Sequence, residues 1–136
     1  MGIEKTIFAA VFAAIMPSLL AVVVIGLSAA YSISSSSDPQ NFWGVVFVTM
    51  ILQYTLLHGI FVWAGSIAVN RFNQGVLSAA VAGMLTGFTS TVIGGIIRIF
   101  MFSDFINAYP LYILTFSFVG LYCGIGGGVL LKRSTK

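Results

Sequence analysis

FNQGVLSAAVAGMLTGFTSTVIGGII, residues 72–97, carries no Asp, Glu, Lys or Arg. A helix needs about 20 apolar residues to cross a hydrocarbon layer roughly 30 Å thick. This stretch is long enough. It also holds Ala79, Gly83, Gly87, Thr91 and Gly95, each four residues from the last. Residues four apart share one helix face. The stretch therefore reads as a membrane-spanning helix with one smooth side.

Three further runs free of those four residues surround it: Thr6–Ser37, Pro39–Asn70 and Phe105–Leu131. Only six basic and three acidic residues punctuate the 136-residue chain, which is 59% hydrophobic. Its mean hydropathy is +1.07. A soluble domain of this size is about one quarter charged. The pattern predicts an all-α integral membrane four-helix bundle. Its helices are expected at about 6–30, 42–69, 76–100 and 111–131, forming a single transmembrane domain over residues 1–136. The first run is longer than the roughly 7–15 residues of a signal-peptide core, so it is read as a retained helix. Pro17 within it implies a kink, read as packing geometry with a gate as the alternative. Residues 31–41, rich in serine and ending in Asp38-Pro39-Gln40-Asn41, read as a polar link.

Orientation follows from the cations. Lys5, Arg71, Lys132, Arg133 and Lys136 fall on one side of the expected spans, and Arg98 falls near the other. This bias predicts both termini in the cytoplasm and a multi-pass protein of the plasma membrane. No basic stripe with interleaved aromatics suits nucleic acid. The lone Cys123 excludes an intrachain disulfide and reads as a packing residue.

The packing signal continues in the fourth run with Gly120, Gly124 and Gly128. Helices three and four are joined by a short turn, so the two ladders are expected to face each other as a glycine zipper. Small residues let backbones approach closely in lipid, where the hydrophobic effect does not drive helices together. A surface for a second copy or a larger partner is the alternative. Gly126 and Gly127 make more than one face of helix four smooth.

Chemistry is sparse. His58 is the one ionisable group placed well inside a span, with Tyr54 and Thr55 one turn earlier. It reads as a neutral histidine bonded to Tyr54 or to a neighbouring helix. A proton relay, a metal ligand or a haem ligand paired with Met84 are the other readings. Thr86 and Ser90, with Thr89 and Thr91, form a second polar cluster that can bond back to its own helix or line a pore. Arg98 and Asp104 form an outer-surface polar pair, read as an anchor for the turn between helices three and four. No catalytic set, metal centre or cofactor site emerges, so the chain reads as more a packing protein than an enzyme.

Thr86-Gly87-Phe88-Thr89-Ser90-Thr91 resembles, over about six residues, the Gly-Phe-Thr-Thr-Phe-Ser-Thr segment of small four-helix fluoride channels. That resemblance implies an ion path lined by these hydroxyls. The Arg-Tyr pair of that family's first helix and the asparagine of its second are missing here, and the chain is not assigned to it.

Three functions follow. The first is an accessory or structural subunit that packs through its glycine ladders, with itself or a larger membrane complex. The second is an oligomeric transporter or channel for a small solute or ion, with His58, Thr86 and Ser90 lining one cavity. The third is a membrane anchor using His58 in redox or proton chemistry.

Overall fold

The computed structural model describes residues 2–35, 38–73, 75–101 and 109–131. Four helices make up nearly all of them: α1 (Ile3–Ser35), α2 (Pro39–Asn70), α3 (Val76–Met101) and α4 (Tyr109–Leu130). All four are long and apolar enough to cross a membrane. No strand occurs among the described residues.

Two helices run further than the sequence suggests. The serine-rich segment read as a link is helical through Ser35, and α2 begins at Pro39. Asp38 stands at the N-cap position of α2 and Pro39 at its first turn, where proline's fixed φ suits a helix start. Asp-Pro here opens a helix instead of making a loop. Pro17 lies inside α1 without ending it. Between α2 and α3 the chain turns through Asn73 at φ 53°, a left-handed conformation that asparagine tolerates. Asp104 lies outside the described residues, as does the side chain of Arg98, so the expected outer-surface pair has no structural account.

Alternation of direction makes α1 parallel to α3 and α2 parallel to α4. Contacts join α1 to α2, α1 to α3, α2 to α4, α3 to α4 and α2 to α3, and none of the described residues joins α1 to α4. The cross-section is a rhombus, with α2 and α3 touching across its centre. Two clusters fill it. One holds Val22, Leu57, Phe61, Phe116, Val119 and Cys123. The other holds Ala10, Ala68, Val69, Ala79 and Ala82.

Cross-helix partners set the levels. A methyl on Gly94 would touch Val22, Tyr109 lies against Gly95, and Gln53 bonds to Tyr112. The start of α4 is therefore level with about residue 22 of α1. Roughly 20 Å of α1 continues past that level, at 1.5 Å per residue. The α1–α2 hairpin projects beyond α4, with Tyr31, Trp43 and Phe47 exposed on it.

Candidate functional site

The glycine ladders of α3 and α4 meet within the chain. A Cβ on Gly83 would overlap the Gly120 carbonyl and lie 2.8 Å from Gly124 Cα. One on Gly124 would collide with the Ala79 carbonyl and lie 3.2 Å from Gly83 Cα. Gly87 faces the backbone of Phe116 and Ser117, and Gly95 faces the ring of Tyr109, whose hydroxyl donates to the Val92 carbonyl at 2.6 Å. Gly128 lies against Ala79 and Val69. Thr91, in the same row, is fully buried and donates to the Gly87 carbonyl at 2.6 Å.

A second smooth face of α4 meets α2. Gly65 is closed off by the backbone of Gly124, and Gly127 by the backbone of Val62 and by Ser66 N at 3.0 Å. A third row was missed in the sequence. Thr6, Ala10, Ala14, Ser18 and Val22, at four-residue spacing on α1, are all fully buried. The spacing rule that finds the glycines finds this row too. Alanine is so common in α1, at residues 9, 13, 21, 29 and 30 as well, that the row does not stand out.

His58 sits on the seam where α2 meets α4. Its Nδ1 lies 2.6 Å from the Tyr54 carbonyl oxygen, and its Nε2 is bonded to the Tyr122 hydroxyl. A carbonyl only accepts, so Nδ1 carries a proton. A neutral ring arranged this way accepts at Nε2, and Tyr122 donates. Tyr54 thus serves His58 through its backbone. Its ring instead packs on Phe116, with centroids 5.1 Å apart. Tyr112 meets Phe116 edge-on at 4.7 Å and accepts from the Gln53 amide. Gln53 and Tyr122 are the partners that sequence reasoning did not supply. Gln53 meets Tyr112 and Tyr122 meets His58 only because α2 and α4 run parallel and adjacent. Nitrogen-15 spectra should show His58 protonated at Nδ1 and bare at Nε2. Tyr122→Phe should shift the Nε2 resonance, and protonation at Nε2 in the unaltered protein would contradict the assignment.

The helix-three hydroxyls do not join His58. Thr86 and Ser90 are fully buried, donating to the carbonyls of Ala82 at 2.7 Å and Gly87 at 3.3 Å. Thr89 donates to Leu85 at 2.7 Å. Each is satisfied by its own helix. His58 is bonded at the α2–α4 seam, beside a Tyr122 that is 53% exposed. The two polar groups therefore do not line one cavity within the chain. Thr55 faces outward on α2. Among the described residues no three His, Cys, Asp or Glu side chains gather as metal ligands.

Two surface recesses are lined by described residues. An apolar groove of about 460 Å³ lies outside the α3–α4 contact, lined by Met84, Leu85, Phe88, Leu114, Phe118 and Leu121 among others. A half-polar groove at the other seam holds Ser66, Asn70, Arg71 and Leu131, where Asn70 Nδ2 donates to the Leu131 carbonyl at 2.7 Å. Arg71 there lies at the C-terminal end of α2, where a cation favourably meets the helix dipole.

No family model, curated protein or solved structure matches this chain.

Proposed function

We propose that this is a small multi-pass integral membrane protein, spanning the plasma membrane four times with both termini cytoplasmic. In this reading it serves as an accessory or structural subunit that assembles with copies of itself or with a larger membrane complex. One observation carries the reading: the interior of the bundle is given over to packing. Buried Gly83, Gly87, Gly120 and Gly124 bring backbones together, and the hydroxyls among them bond to their own helices. Helices separated in lipid associate through such close contacts. Of the other polar groups, His58 and Tyr122 lie on an outer seam, and the buried Gln53 is paired with Tyr112.

Geometry also modifies the sequence reading. The ladders are occupied inside one chain, so they serve association indirectly, by building the scaffold. A partner meets a different face.

Purification from native membranes in mild detergent tests the proposal. The expected result is a stable assembly of defined stoichiometry, with a second copy or with another membrane protein. A monodisperse monomer with nothing bound overturns it. Proteoliposomes that pass protons or ions faster than empty liposomes move the function to the transporter. Labelling of single cysteines introduced at residues 5 and 133 should place both on the cytoplasmic face.

A further inference from the structure

We infer that the outward seam of α2 and α4 is the contact between two copies of this chain, lying in the same orientation in the bilayer. The inference rests on the membrane-spanning subunit reading and names the partner. The seam carries an unused acceptor, a lone pair of the Tyr122 oxygen, and an unused donor, the Thr55 hydroxyl, and lipid satisfies neither. Tyr122 is exposed, with His58 half-buried behind it. Thr55 is exposed one turn before Gly59, and its hydroxyl makes no hydrogen bond among the described residues. Thr86, Thr89, Ser90, Thr91, Thr115 and Ser117 all donate to a carbonyl of the preceding turn. Ionisable side chains within a span almost always face protein, and His58 lies half-buried on this seam.

Donors and acceptors on the seam match. The Tyr122 hydroxyl gives its proton to His58 Nε2 and keeps lone-pair capacity on its oxygen. Thr55 has a proton to give. A second copy carries both halves, so a twofold axis along the membrane normal makes the pairing twice. An acyl chain offers neither half.

Depth matches as well. Helical side chains lean toward their own N-terminus. The Tyr122 hydroxyl reaches His58, whose ring is tied to the Tyr54 carbonyl. That hydroxyl therefore lies level with the Tyr54–His58 turn, which contains Thr55. A twofold along the normal preserves depth, so Thr55 of one copy meets the Tyr122 level of the other.

Close approach is open. A Cβ on Gly59, one turn from Thr55, meets nothing within 4 Å in the single chain. The same holds for Gly126, one turn from Tyr122. Unlike Gly83 or Gly124, these two glycines serve no contact inside the bundle, and they flank the polar pair on both helices.

Energy transfer between labelled copies, in bicelles over a range of protein-to-lipid ratios, reads the contact. Wild-type protein is expected to dimerise. Thr55→Val removes two symmetric hydrogen bonds, each worth about threefold in a membrane, and should weaken the dimer roughly tenfold. Gly59→Leu should abolish it while, at a dilution where the wild type is also monomeric, circular dichroism and thermal unfolding match those of wild type. Phe12→Leu, on the exposed face of α1, should change nothing. Wild-type protein that stays monomeric, or dimerisation of Gly59→Leu and Thr55→Val at wild-type strength, overturns the inference. If a monomeric wild type still co-purifies with a different membrane protein, this contact falls and the subunit reading stands.

Discussion

Gly83→Ile should leave the chain without a cooperatively unfolding tertiary structure. The obstacles to a side chain there are backbone atoms. The first carbon alone would overlap the Gly120 carbonyl and crowd Gly124 Cα at 2.8 Å and Gly124 N at 3.0 Å. No rotamer change clears a backbone. Overpacking a core by extra methylenes costs about 1–3 kcal/mol where neighbours can shift. Here α3 and α4 must separate, and the reciprocal fits of Gly120 and Gly124 go with them. Against a total stability of about 5–15 kcal/mol, that loss removes the native state. Gly83→Ala should be milder. Alanine gains about 1 kcal/mol of helix propensity over glycine, which offsets part of the clash. The comparison is Gly126→Ala, where the new methyl meets nothing within 4 Å. That variant should be as stable as wild type or slightly more so. Thermal and SDS-induced unfolding in detergent, read by near-ultraviolet circular dichroism, separates the three. A wild-type midpoint for Gly83→Ile would falsify the proposed role of this contact.

The helices were legible because nine charged residues bracket four long apolar runs in the sequence, each long enough for a helix that could cross a membrane. The ends of α1 and α2 were less so. Serine and asparagine are common in loops, but Ser32 to Ser35 continue α1, and Asp38-Pro39 opens α2. Local residue preference is a weak signal where a neighbouring helix supports the extension. Spacing showed that Gly83 and Gly124 share a contact role, because only small residues admit a backbone at four-residue intervals. It did not show that Gly65 and Gly127 make a second such contact, since that depends on which helix lies beside α4. Tyr122 was hidden as a partner of His58 for the same reason. The two are 64 residues apart. Nothing local records that α2 and α4 run parallel and adjacent. Periodicity gives faces, and the choice of neighbour comes from the ring order of the whole bundle.

Phe116→Ala should lower stability by about 2 kcal/mol, less than the same change costs in a soluble core. Phe116 is fully buried between the rings of Tyr54 and Tyr112, in the cluster with Leu57 and Phe61. In water, Phe→Ala costs about 3–5 kcal/mol, from lost transfer of apolar surface plus the cavity left behind. In the proposed membrane-spanning protein, helices that separate in the bilayer move Phe116 from protein into lipid, which is as apolar as the core. The transfer part then nearly vanishes. The cavity part stays, because the lining atoms lose their dispersion partners. A void of about 100 Å³ at about 24 cal/mol per Å³ amounts to roughly 2.4 kcal/mol, reduced by whatever collapse the site allows. Collapse is limited here, since the Phe116 backbone is fixed against Gly87 and Tyr112 is held by Gln53. Leu57→Ala and Phe61→Ala, at other fully buried positions of the cluster, should scale with the volume removed and not with apolar area. Unfolding free energies from SDS titration in bicelles decide between the two. Losses of 4 kcal/mol or more, following area, would mean that these residues meet water in the unfolded state, and that the helices do not remain inserted when they part.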